Sequence, residues 1–119
     1  MSLAPSVDDY KVILRKFAVR DDRYIDALLQ TDKSSATVAG LDDRSHALVR
    51  IGTLVTLNAA PAAYMGSVEA ALEAGASYEE VVGVLIAVLP VVGVARVVTA
   101  APNLGLAVGY DVAEALEVA

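Results

Sequence analysis

Two residues of this 119-residue chain stand out as groups that could do chemistry: a lone histidine and an isolated arginine. His46 is the only imidazole, the side chain that titrates near neutral pH, so it is the one candidate for a general acid or base. Arg96 is the only cation after residue 50, and it stands in an apolar stretch where a buried guanidinium needs a carboxylate or a bound anion. One interpretation of these residues is a site for a small acidic ligand.

Both residues also have a structural interpretation. Asp43, His46 and Arg50 recur at the spacing of one helix face, which equally describes a solvated polar surface. Arg96 could instead form an ion pair with an acid of a neighbouring helix or subunit. Asn58, before a turn, and Thr99, about one helical turn after Arg96, are further candidates for ligand binding.

Composition excludes several kinds of chemistry. The chain has no cysteine, which removes disulfides, thiolate metal sites and thiol redox reactions. One histidine cannot hold zinc or a di-iron centre alone, so we expect no metal and no cofactor. A net charge of −6 would repel a phosphate backbone, so nucleic acid is not expected as a partner.

Length and hydropathy point to one globular domain spanning residues 1–119. Hydrophobic residues make up 56% of the chain, which excludes a disordered tail. Residues 1–50 are neutral, with eight bases and eight acids, whereas residues 51–119 carry one base against seven acids. The second half therefore combines an apolar core with an acidic rim that favours solubility.

No membrane or secretory segment is expected. The N-terminus lacks a basic stretch followed by an apolar run, which favours a cytoplasmic location. Residues 81–109 contain a single charge, but Pro90, Gly93 and Pro102 interrupt the run, and acidic residues flank it. Such a segment is better explained as a core buried between helices or subunits.

Helix signals recur along the whole chain and predict an all-α bundle of about six helices. Start signals are Ser6 with Asp9, Asp21 or Asp22, Asp42 or Asp43, Pro61, the capping box Ser77 and Glu80, Val94, and Asp111. Gly75 should end one helix, Pro90 should kink or end the next, and Pro102 should bend the last long one. Valine is abundant, but no period-two alternation supports strands.

Residues 41–93 carry a recognisable pattern: a leading "LD", an apolar helix, an N-x-x-P turn, the string ALEAGAS, then "EE" and a final glycine. This pattern resembles the carboxymuconolactone decarboxylase and alkylhydroperoxidase D superfamily. The later string AAPNLGLA fits the last helix of that superfamily loosely. The resemblance implies a compact helical fold that assembles into homo-oligomers such as dimers, trimers or hexamers.

The resemblance also implies which chemistry is missing. In the redox branch a glutamate precedes Cys-x-x-Cys-x-x-x-His. Counting from the helix-ending glycine places the cysteines at Ala60 and Ala63, the histidine at Ser67, and the glutamate at Leu48 or Ala47. None of these residues has the reactive group, so thiol peroxidase activity is excluded.

The decarboxylase branch keeps the histidine, and an unassisted Ser67 hydroxyl cannot replace it as an acid or base. Ser67 and Tyr64 would flank the family's cavity, where they could hydrogen-bond a ligand or simply pack helix against helix. If the protein is an enzyme, the resemblance implies a cofactor-free lyase or isomerase.

Three functions follow as hypotheses. The first is a non-redox relative of carboxymuconolactone decarboxylase that binds or transforms a small acidic, lactone-like metabolite, with Arg96 as its anchor. The second is a catalytically silent oligomeric scaffold or partner-binding protein of the same family. The third, a membrane-associated helical protein, is the least favoured.

Overall fold

The computed structural model describes residues 9–30 and 38–117, and all regular secondary structure in these ranges is helical. The helices are α1 Tyr10–Ala18, α2 Asp22–Leu28, α3 Asp43–Thr56, α4 Pro61–Glu73, α5 Tyr78–Val92, α6 Val94–Ala107 and α7 Val112–Glu117. The expectation of an all-α protein is thus confirmed for the described residues, with seven helices where about six were expected.

The chain divides into two compact units, one up to Asp42 and one from Asp43 onward. The single domain expected over residues 1–119 stays a prediction. None of the helices in the described residues is both long enough and apolar enough to cross a membrane.

The first unit contains α1 and α2, and each is capped by the aspartate that precedes it. Asp9 caps α1, since its carboxylate accepts hydrogen bonds from the backbone N–H groups of Lys11 and Val12. The sequence had placed Asp9 inside a helix capped by Ser6; Ser6 lies outside the described residues, and Asp9 is itself the cap. Of the two aspartates predicted as the start signal of α2, Asp21 is the cap, and its carboxylate accepts from the Tyr24 N–H.

The second unit contains α3 to α7 around one apolar core, and α3 packs on α4, α5 and α6. Close approach of α3 to α5 is permitted by Gly52, where an added Cβ would lie 3.3 Å from Val88 Cγ1. The largest fully buried side chains of this core are Ile51, Val55, Tyr64, Val68, Val81 and Leu104.

The helix boundaries of the second unit follow from local signals. Pro61 lies at the start of α4, and Gly75 follows its end with a φ of 95°, a conformation that glycine adopts without strain. Ser77 and Glu80 form the predicted capping box at the start of α5. Pro90 lies inside α5 and does not end it, because the helix continues to Val92 and its C-cap is Gly93.

Candidate functional site

All six residues predicted to form a site lie in the second unit, and they differ widely in exposure. Tyr64 is fully buried, His46 and Ser67 are half-buried, and Asn58, Arg96 and Thr99 are exposed.

Asn58 has a structural role that the sequence did not reveal. The sequence placed it before a turn as a candidate for ligand binding; α3 ends at Thr56, and Asn58 follows it with a φ of 55°. Its N–H donates to the Val55 carbonyl at 3.1 Å, and the Ala59 N–H donates to the Leu54 carbonyl at 3.0 Å. This pair of bonds is a Schellman motif, which requires a left-handed residue at the position of Asn58, and asparagine tolerates that conformation.

Arg96 and Thr99 lie on the outer side of α6. Both side chains are exposed, and Arg96 forms no ion pair with any residue of the described ranges. The sequence argument assumed a buried guanidinium in need of a partner, and this premise is wrong for the chain considered alone. Arg96 is the third residue of α6, and Val94 and Ala95 in the same first turn are also exposed.

Tyr64 is the most unusual polar residue of the core. Its side chain is 0% exposed, and its hydroxyl makes no hydrogen bond with the described residues. Burial raises the pKa of this phenol above its usual value of 10.0, because the ionised form would lose its hydration. An unsatisfied buried hydroxyl costs about 1–3 kcal/mol, so its presence here needs an explanation.

Ser67 follows Tyr64 by about one turn of α4 and is half-buried, so the two hydroxyls share one side of the helix. α4 packs on α3 and α6, and the neighbours of Tyr64 in the buried cluster are aliphatic. The core that contains Tyr64 is therefore apolar and has few polar groups.

His46 lies early in α3, half-buried, directly before the buried Ala47. Asp43 on the same helix is exposed, and Arg50 is half-buried. The position of His46 at the border between core and surface is compatible with both interpretations of the sequence, a proton-transfer group and a member of a polar helix face.

The positions at which the resemblance expects cysteines lie at the start of α4, and those at which it expects a glutamate lie in α3. Ala60 and Ala63 are exposed, while Leu48 is half-buried and Ala47 is buried. These side chains carry no group for redox or acid–base work. Within residues 9–30 and 38–117, no cluster of histidine, aspartate and glutamate side chains could hold a metal ion.

An ion pair at the edge of the second unit was not predicted. Arg44 Nη1 lies 2.9 Å from Glu80 Oε2 and joins the first turn of α3 to the first turn of α5. Glu80 also accepts a hydrogen bond from the Ser77 backbone N–H at 2.9 Å. This hydrogen bond is the main cause of the lowered pKa of Glu80, and Arg44 lowers it further. No sequence spacing could have revealed this pair, because its members are 36 residues apart.

Comparison with protein-family models, curated proteins and solved structures gave no significant match. The family resemblance therefore rests on the residue pattern of segment 41–93 and, more loosely, on the string AAPNLGLA.

Proposed function

We propose that this protein is a thiol-independent relative of the carboxymuconolactone decarboxylase superfamily that binds or transforms a small acidic, lactone-like metabolite. The observation that supports this proposal most directly is the buried Tyr64 hydroxyl without a hydrogen-bond partner in the described residues. A ligand oxygen next to it would remove the cost of leaving it unsatisfied.

A lactone acid can meet this hydroxyl with its ester oxygens, which accept hydrogen bonds. Its carboxylate would have to stay outside the aliphatic neighbours of Tyr64, because burying an unpaired charge is costly. Ser67 adds a second hydroxyl about one turn along α4. Entry of the ligand would require local rearrangement of this helix, because the Tyr64 side chain is closed off from solvent.

The remaining candidates have lesser roles in this proposal. His46 stays the candidate for proton transfer, because it is the only imidazole of the chain. Arg96 is exposed and could anchor only a carboxylate that reaches the surface. Where the ligand is transformed, the resemblance implies a lyase or isomerase reaction that needs no cofactor, and the sequence favours the cytoplasm as its location.

The proposal is tested by native mass spectrometry of the purified protein, compared with its denatured mass. We expect a small acidic adduct, or an adduct formed on adding muconolactone. We expect Tyr64→Phe to weaken binding about 3- to 10-fold, the effect of one lost hydrogen bond. Tyr110→Phe removes the same group from an exposed tyrosine and should leave binding unchanged. Absence of an adduct, or equal binding by both variants, would contradict the proposal.

A second candidate function is a catalytically silent oligomeric scaffold of the same family. It is favoured by a different observation, the large apolar side chains that α5 and α6 expose. Monomeric proteins seldom expose apolar patches of more than a few hundred Å² without a partner. A defined oligomer that ignores added muconolactone would favour this candidate over the first.

A further inference from the structure

Helix α1 of the first unit leaves its largest apolar side chains exposed. Tyr10, Leu14 and Phe17 follow each other at intervals of four and three residues, which places them on one side of the helix, and we call them the α1 face. Their exposed fractions are 68%, 63% and 49%, and α1 has no buried residue. The apolar side of α1 is therefore not part of the core.

Helix α2 contacts α1 by an aromatic ring at one end of this face. The ring of Tyr24 meets the ring of Phe17 edge to face, with 5.4 Å between the ring centroids. Lys16 Nζ lies 4.7 Å from the centroid of the Tyr24 ring. Val12 and Ile13, which are half-buried, lie on a different side of α1 from Leu14. The contact with α2 thus leaves the α1 face open to solvent.

Cations flank the α1 face on both sides. The helix has three basic residues and no acidic one. With about 3.6 residues per turn, Lys11 and Arg15 lie along one side of the face and Lys16 along the other. Lys11 and Arg15 are exposed, and neither forms an ion pair with a residue of the ranges 9–30 and 38–117. Beyond the helix, Arg20 is already paired with Asp22.

We propose that α1 binds an anionic lipid surface, with the α1 face among the headgroups and the flanking cations next to lipid phosphates. Helices that lie in a membrane interface have this pattern, with an apolar side bordered by lysine and arginine. The long aliphatic stems of Lys11 and Arg15 let their charges reach outward while Leu14 stays in contact with the acyl chains. Tyr10 adds an amphipathic ring, which suits the headgroup level.

The inference goes beyond the proposed function and depends neither on Tyr64 nor on a metabolite. It also needs no membrane-spanning segment, and none of the described helices is long and apolar enough to be one. The protein would lie on the lipid surface through one helix of its first unit.

The size of the α1 face favours a lipid surface over a protein partner. A large side chain buries at most about 250 Å², so the three exposed fractions supply less than the 800 Å² or so that a stable protein interface buries per partner. A protein would also have to place acids on both sides of an apolar groove. An anionic lipid surface offers negative charge all around the helix, and each nearby cation adds to the attraction.

The acids of the second half define when this binding occurs. Residues 51–119 carry one base against seven acids, so an anionic surface attracts α1 and repels the second unit. Cations and apolar insertion are therefore both needed, and a neutral lipid surface supplies only the second. We expect binding to require anionic lipid.

The first experiment is sedimentation of the full-length protein with phosphatidylcholine vesicles that contain either no phosphatidylserine or about 30% of it, at low salt. We expect a partition coefficient at least fivefold higher for the anionic vesicles. Leu14→Glu places a charge in the α1 face and should lower it at least tenfold. Leu116→Glu adds the same charge at an exposed leucine of α7 and should change it less than twofold. Circular dichroism checks that both variants remain helical.

The second experiment separates charge from shape at one flanking residue. Arg15→Gln should weaken binding to the anionic vesicles about fivefold, the effect of one cation near such a surface. Arg15→Lys keeps the charge and should bind within about twofold of the wild type. Equal binding by both variants would show that the cations of α1 do not face the lipid.

The third experiment locates the contact. The chain has no tryptophan, so Tyr10→Trp places a single fluorescent probe on the α1 face. Its emission should shift to shorter wavelength on anionic vesicles, because the ring leaves water. Tyr110→Trp, at an exposed tyrosine of the second unit, is the matched control and should not shift.

Four results would overturn the proposal. They are a wild type that does not sediment with anionic vesicles, a Leu14→Glu variant that binds normally, vesicle binding without an emission shift in Tyr10→Trp, and a Leu14→Glu variant whose main effect is to lower the mass of an oligomer. The last result would assign the α1 face to a second copy of the chain. Ligand binding through Tyr64 is read separately by the adduct mass.

Discussion

Gly105 and Tyr110 lie with their backbones in direct contact where α6 ends. The Tyr110 N–H donates to the Gly105 carbonyl at 2.8 Å, and a Cβ on Gly105 would lie 2.7 Å from the Tyr110 carbonyl oxygen. It would also lie 2.9 Å from Val112 Cγ2. The lack of a side chain at Gly105 is therefore what allows the chain to fold back and begin α7.

Gly105→Ala should destabilise the second unit by about 1–3 kcal/mol, because the new methyl group overlaps a backbone carbonyl that cannot move without breaking the turn. Gly66→Ala is the control, since a Cβ at Gly66 in α4 meets nothing within 4 Å. That variant should gain up to about 1 kcal/mol, because alanine favours a helix more than glycine does. Urea unfolding of both variants measures the difference, and equal midpoints would contradict the overlap.

Asn58, which follows the end of α3, is a position where glycine is expected to be tolerated. Asn58→Gly should stabilise the protein by a few tenths of a kcal/mol or leave it unchanged, because glycine adopts a φ of 55° without strain. Asn58→Ala should cost about 1 kcal/mol, since a Cβ without a compensating polar group disfavours that conformation. If Asn58 instead mainly binds a ligand, both variants would lose binding alike while their thermal unfolding stayed at the wild-type temperature.

Local signals in the sequence were enough to predict most helix boundaries. Ser77 with Glu80, Asp21 and Gly75 each act within three or four residues, so their effect can be read from spacing alone. The role of Gly105 depends on a chain segment that returns from beyond α6, and no local pattern encodes that contact.

The burial of site residues was harder to predict, because α6 is apolar on several sides. Arg96 precedes the buried Ala100 by four residues, a spacing that suggests a shared face. Its place in the first turn, after Gly93, nevertheless leaves it in solvent. For Tyr64 the sequence left packing and ligand binding open, and the structure adds a buried hydroxyl without a described partner.

Removing the Tyr64 hydroxyl should stabilise the ligand-free protein. Tyr64→Phe keeps the ring in the core and deletes a polar group that lacks a partner, so the free energy of unfolding should rise by about 1 kcal/mol at neutral pH. Tyr110→Phe, at an exposed position, should change it little. Loss of stability in Tyr64→Phe would mean that the hydroxyl is hydrogen-bonded in solution.

The same hydroxyl predicts how stability changes in alkali. Burial raises the pKa of Tyr64 in the folded state, so the folded protein holds this proton more tightly than the unfolded chain does. The resulting stability is complete below pH 10.0, the usual value, and is lost as the pH rises toward the folded value. Unfolding midpoints between pH 8 and 11 should fall less steeply in Tyr64→Phe than in the wild type, and parallel curves would contradict this.

Glu80 predicts the corresponding behaviour in acid. The Ser77 backbone N–H and, more weakly, Arg44 lower the pKa of Glu80 in the folded state, so folding favours the ionised carboxylate. The contribution is present above the usual value of 4.5 and is lost as the pH falls through the lower folded value. Glu80→Gln keeps an oxygen for the Ser77 N–H but cannot ionise, so its stability should vary less between pH 3 and 5. Glu79→Gln removes a neighbouring charge that has no ion-pair partner among the described residues, and it should keep the wild-type slope. An acid slope equally steep in both variants would assign the pH dependence to other carboxylates.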